Sequence, residues 1–364
     1  MKPMTTRFIP LAIAAGLATG LPSVHAAPTA DAVLEHTATQ VITRNYVRLA
    51  DSTDRLGEHL QALQQAASPA DVVAARSAWR VARVHWETGE AHLFGPVDTD
   101  GHDPAMDSWP LDQRELVALL EGSASVDAAA VASLDADVKG FHAIEFLLWN
   151  QPVAEGRESA EAAAERLSHA PRQRELLAAL GSNLQGHARA LAAAWQGEDG
   201  HAQQIATAGT SASRLYPATS GALQELAEGI DGIVDELAAE KLGQPLTSGR
   251  FDAVESPYAR NTRADMRDNI DGIRNLWLGS LDGTTSGDGL RALAAERGAD
   301  VAAVDRALAH ARGRIQAIGE TADASGQRAF AEVIASGEEA HKARIRAAVD
   351  AVRQLQTHLA SALE

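Results

Sequence analysis

The chain has 364 residues, a formal net charge of −17 and no cysteine. So acidic a balance opposes nucleic acid and anionic lipid, and favours cations. Without cysteine there are no disulfides, no thiolate metal ligands and no covalent catalysis by a thiol, so stability must come from the core.

Lys2 and Arg7 open the chain on a basic note, an apolar stretch runs from Phe8 to about Leu21, and Val24-His25-Ala26 supplies small residues for a signal peptidase. This is the layout of a cleavable export signal over residues 1–26. The stretch is too short, and too interrupted by Pro10 and Pro22, to span a bilayer comfortably. No later segment is apolar enough to cross a membrane, and the mature chain is expected in the periplasm.

Apolar residues then recur at helical spacing almost throughout, and the fold is predicted as all-α. Val41, Val47, Leu56, Leu60 and Leu63 mark a first helix within 33–63. Val72, Ala75, Trp79, Ala82, Trp86, Gly89 and Leu93 mark a second within 71–93. Leu223, Leu226, Ile230, Ile233 and Leu237 mark another, stopped by Lys241-Leu242-Gly243-Gln244-Pro245. Met266, Ile270, Ile273 and Trp277 follow, ended by Gly279, and the last helix runs from Ile345 to Leu363. Loops are expected at 95–110, 196–216 and 243–262. The middle one divides the mature chain into two helical halves, 27–205 and 206–364.

The segment Gly140-Phe141-His142-Ala143-Ile144-Glu145-Phe146-Leu147-Leu148-Trp149 is apolar on every side, as in a helix buried all round. His142 and Glu145, three apart, nevertheless project from one face. A buried carboxylate takes up a proton or finds a partner. An imidazole and a carboxylate aimed together into the interior can hold a cation or bond to each other. On the Trp79 helix, Arg83, Glu87 and Glu90 share a face and could complete such a site, or Arg83 and Glu87 could form a simple surface pair. Trp79 and Trp86 read as core.

Asp98-Thr99-Asp100-Gly101-His102-Asp103 begins like a calcium loop, but the glycine is misplaced and Trp109 stands where the closing glutamate should be. It is read as a loop with loose cation affinity. Glu338 with His341, and Asp265 with Asp268 and Asp271, read as solvated acidic faces. No histidine is followed directly by glutamate, which excludes the H-E-x-x-H protease arrangement, and neither a G-x-S-x-G elbow nor a phosphate loop occurs.

The stretch Gly140 to Trp149 resembles the G-x-H-x-x-E signature of imelysin-like proteins. Three other stretches agree in order. Ala78-Trp79-Arg80-Val81-Ala82-Arg83, continuing through Trp86-Glu87 and Glu90 to Phe94-Gly95-Pro96-Val97, is similar to the family's first helix and its loop. Asp107-Ser108-Trp109-Pro110-Leu111-Asp112 resembles the next element. Glu255-Ser256-Pro257-Tyr258 with Asn269-Ile270-Asp271-Gly272-Ile273 resembles the motif of the second half.

The resemblance implies two helical-bundle halves around a central cleft and an exported protein, periplasmic or associated with the outer membrane, concerned with iron acquisition or metal binding. It implies a site of His142 and Glu145, with Glu87 and Glu90 as further metal-binding residues, Arg83 and Trp79 beside them, and Glu255 and Ser256 reaching across the cleft. The chain ends at Leu363-Glu364 without the family-like acidic tail, and Asn261-Thr262-Arg263 replaces a serine-rich stretch. Hydrolysis would need at least three ligands and a base. An oxygen-rich set with one histidine suits iron, with zinc as an alternative. The expected function is therefore metal binding in the service of iron uptake, with a membrane iron transporter as partner. A secreted metallopeptidase and a binder of organic or polymeric ligands are the alternatives.

Overall fold

The structure is a computed structural model that describes residues 28–150, 158–285, 288–320 and 327–364. The expected export signal lies outside the described residues. Helices dominate, as the periodicity predicts. Among the described residues no strand forms, the nearest approach being one backbone bridge from Glu320 to Gln327. None of the described helices is long and apolar enough to cross a membrane.

Eight principal helices carry the fold: α1 (Thr43–Gln65), α2 (Pro69–Gly89), α3 (Gly140–Trp149), α4 (Pro171–Ala194), α5 (Thr219–Glu236), α6 (Thr262–Leu278), α7 (Val301–Gln316) and α8 (Glu339–Leu363). In the first half α1 packs between α2 and α4, and α3 lies on α4. In the second, α8 packs on α7 and α5, and α7 on α6. Helix α2 joins the halves by packing on both α1 and α6.

Local sequence explains the ends. Ser68 caps α2 through Asp71 N (3.2 Å), with Pro69 in the first turn, where its missing N–H costs nothing. Gly279, at φ 72°, ends α6 in the left-handed conformation that glycine adopts without strain. At the α2–α6 seam a side chain on Gly272 would place its Cβ 2.4 Å from Thr88 O, so only glycine permits this approach. One continuous apolar core runs through both halves and includes Trp79, Trp86, Trp195 and Trp277.

The segments expected as loops are partly helical. The stretch 95–110 contains short helices Pro96–Thr99 and His102–Asp107, and 243–262 contains Gly243–Ser248. Glycine and proline marked the breaks, but packing against longer helices stabilises short turns that propensity alone would not.

Candidate functional site

Three chain segments from the first half and two from the second converge at the seam. Helix α2 contributes Arg83 and Glu87, with Glu90 in the tight turn that follows. The short helix His102–Asp107 ends in Asp107. Helix α3 contributes His142 and Glu145. From the other side come Lys241, closing a π-helical turn after α5, and Glu255 with Ser256 in the turn before α6. Asp265 and Asn269 of α6 complete the set. Every one of these side chains is shielded from solvent.

Gly140 makes the placement of α3 possible. At φ 74° it lets the helix start against Met106 O, which a Cβ would approach to 2.2 Å. Helix α3 is held to α2 by Trp79, whose Nε1 donates to Phe141 O (3.0 Å). Trp79 also packs against Trp149, so it is a core residue beside the site, and Arg83 lies over the faces of Trp79 and Phe141.

Arg83 and Lys241 organise the carboxylates. The Arg83 guanidinium donates to Asp107 and Glu87, reaches Glu255 Oε1 at 2.9 Å and points Nε toward Asp265 at 3.6 Å. Lys241 Nζ lies 2.6 Å from Glu90, 3.2 Å from Glu87 and 3.3 Å from Glu255. Asn269 Nδ2 donates to Glu87 (2.7 Å) and Glu90 (2.6 Å). The Arg83–Glu87 spacing thus forms a dry ion pair inside a network, not the wet surface pair that i,i+4 spacing allows.

Around His142 the arrangement is asymmetric. Nδ1 faces Glu145 Oε2 at 3.4 Å, and Glu145 Oε1 accepts from Ala259 N at 2.7 Å, so Glu145 stands behind the imidazole. Nε2 points the other way, 3.3 Å from Asp107 Oδ1, and makes no hydrogen bond. Glu255 Oε2 and Ser256 Oγ are likewise buried without hydrogen-bond partners. One donor atom each from Asp107, His142 and Glu255 lie within 4.8 Å of one another, as do oxygens of Glu87, Glu90, Asp107 and Glu255.

Protonation follows burial and neighbours. Burial pushes Glu90, Glu145 and Asp107 above the usual carboxylate range, outweighing the cations beside them. Burial also acts on Glu255, but Lys241 and Arg83 overcome it and hold its carboxyl low. For His142 and Lys241 burial opposes the charged form, yet the surrounding carboxylates prevail and raise both.

Sequence reasoning singled out Arg83, Glu87, Glu90, His142, Glu145, Glu255 and Ser256, and the structure brings all seven to one place. It assigned no role to Asp107, Asn269 or Lys241. Lys241 read only as part of a helix stop, and Glu240 beside it is exposed, so the local sequence did not mark the lysine as buried. The reading of Asp265, Asp268 and Asp271 as an acidic surface fails for the first two. Asp265 is fully buried beside Arg83, Asp268 is nearly so, and only Asp271 faces outward to Arg312. His341 is also buried, while Glu338 beside it stays half-exposed. Arg263 lies apart from the cluster and donates to the carbonyls of Ile318 and Arg328.

A family model described as Imelysin matches residues 42–359. Iron-regulated protein A of Synechococcus elongatus is 33% identical over 287 residues, which cover 77% of this chain and 74% of that protein. Among solved structures, one from Parabacteroides distasonis, named as an iron-regulated protein A precursor, superposes with a TM-score of 0.77. It is 23% identical and covers 93% of this chain and 96% of its own. An imelysin-like protein from Psychrobacter arcticum superposes with a TM-score of 0.65 at 17% identity, covering 92% and 95%. At these identities the two structures speak for the fold alone. The family match over nearly the whole chain and the one-third identity to the cyanobacterial protein decide the matter: this chain belongs to the imelysin family.

Proposed function

We propose that the chain is an exported, periplasmic metal-binding protein serving iron uptake or iron homeostasis. The reading is carried by the charge balance of the buried cluster. Six shielded carboxylates, Glu87, Glu90, Asp107, Glu145, Glu255 and Asp265, face two permanent cations, Arg83 and Lys241, and one imidazole. Surplus negative charge in a dry interior must be met by protons or by a cation. His142 Nε2, with Asp107 Oδ1 at 3.3 Å, and Glu255 Oε2, with Lys241 Nζ at 3.3 Å, make no hydrogen bond and are the atoms a cation would satisfy.

Asp107, His142 and Glu255 would hold the ion. Glu145 would orient the imidazole from behind, a common arrangement at histidine-ligated metals. Glu87 and Glu90 would tune its charge through Lys241 and Asn269. One nitrogen among oxygens suits iron better than softer ions, and the name of the cyanobacterial relative ties that protein to iron regulation. A membrane iron transporter is the partner such a role implies.

The pocket that reaches His142 and Glu145, walled by Trp109, Pro110 and Tyr258, encloses about 20 Å³. That is a space on the scale of one water or ion beside His142. Titration calorimetry of the exported chain with iron, beside His142→Ala and Asp107→Asn variants, tests the proposal. Iron binding that weakens in both variants is expected. An unaltered chain that binds no transition metal better than about millimolar overturns it.

A further inference from the structure

Among the described residues, Asp98, Asp100 and Asp103 do not gather into a group of candidate metal ligands, but their loop delivers His102 to a partner that sequence spacing could not suggest. His102 opens the short helix His102–Asp107, and His187 lies on α4, 85 positions later. Their Nδ1 atoms face each other at 3.1 Å, with the rings crossed at 76°. His102 is nearly buried and His187 half-buried, so the paired nitrogens sit just beneath the surface.

Two imidazole nitrogens bound to one ion at about 2.0–2.1 Å stand about 2.8–3.4 Å apart for angles between square-planar and tetrahedral. The observed separation falls in that range. Neutral imidazole is the ligating form, and burial lowers the proton affinity of both rings, further reduced at His187 by His102 and Lys139. Lys139, which donates to Leu134 O at 2.9 Å, opposes a cation here. Asp100 favours one, because its negative charge acts on His102.

We propose that His102 and His187 form a second cation site near the surface, separate from the buried carboxylate cluster. It would take a borderline divalent ion such as zinc, nickel or copper(II), with waters completing the coordination. The donor chemistry differs from that of the buried set, two nitrogens against one nitrogen among oxygens, so the two sites select different ions. An ion here also ties the helix 102–107 to α4, and the far end of that helix carries Asp107.

The test is equilibrium dialysis of the full exported chain against zinc and, separately, nickel at neutral pH. Wild type, His187→Gln and the His102→Asn/His187→Gln double variant are compared, with His142→Ala as a control. The expected result is one zinc equivalent fewer in both His187 variants, with that equivalent retained in His142→Ala. Equal zinc and nickel stoichiometry and affinity in wild type and His187→Gln would mean that the pair is only an N–H···N hydrogen bond, and overturns the proposal. Should the double variant fail to fold, copper(II) electron paramagnetic resonance on wild type and His187→Gln decides instead. Loss of one coupled nitrogen in the variant supports the site, and identical spectra overturn it.

Discussion

Lys241 Nζ and Glu90 Oε2, 151 positions apart in the chain, meet at 2.6 Å in a place from which water is excluded. The contact joins the turn after α5 to the turn after α2 and so ties the two halves together. Breaking one partner of such a pair leaves an uncompensated charge in a medium that cannot solvate it, whereas removing both relieves the problem.

Lys241→Met is therefore expected to destabilise the fold by about 3–5 kcal/mol at neutral pH. The double variant Lys241→Met/Glu90→Gln should recover a substantial part of that loss. Urea denaturation of wild type, both single variants and the double gives the coupling directly. A Lys241→Met protein as stable as wild type would show that this network contributes little.

Gly272→Ala puts a methyl 2.4 Å from Thr88 O, a backbone atom in the last turn of α2. The seam must open, at a cost of about 1–3 kcal/mol. Because Asn269 lies one turn away and bonds Glu87 and Glu90, metal affinity should fall together with the melting temperature. Thermal melts and iron titration of this variant are the check, and unchanged values for both would contradict the close approach.

Asp268 is held near neutrality in the folded protein. Burial, reinforced by Asp265 and Asp271, pushes its carboxyl up to about 7 from 3.8. The raised value disfavours folding as pH climbs: the penalty is absent below pH 3.8, grows through the interval and is complete above about 7. Asp268→Asn should accordingly raise the melting temperature by several degrees at pH 8 and leave it unchanged near pH 3.5. Melting curves at the two pH values distinguish this from a pH-independent effect.

His201 works in the opposite sense. With Tyr216 donating to Glu225, the ring donates from Nε2 to Tyr216 Oη (3.0 Å), and its burial lowers its pKa from 6.5 to about 4. Its neutral form is compatible with the fold and its cation is not. Stability is full above pH 6.5 and falls by on the order of 3 kcal/mol as pH drops toward 4. His201→Gln keeps a donor but does not titrate, and should flatten the stability–pH curve across that window. A curve parallel to wild type would assign the acid loss to other groups.

The sequence alone was enough for the helical class, since α2, α5, α6 and α8 each bury an apolar stripe whose spacing is visible in one dimension. It also singled out His142 and Glu145 as a pair, because two polar groups in a helix apolar all round must serve each other or a ligand. The family was legible in four ordered stretches. Tertiary structure decided what lies between residues far apart in the chain. Lys241 and Asp107 enter the cluster because their side chains reach Glu87, Glu90 and Arg83 from segments distant in the chain, and nothing in their local spacing signals it. Asp265 looked like surface because Asp265, Asp268 and Asp271 recur every three residues, a pattern that solvated helices share. It is buried because α6 lies against α2 there, with Arg83 to receive it. His102 found His187 for the same reason. Helical periodicity fixes which face a residue occupies, whereas the packing of helices fixes what that face meets.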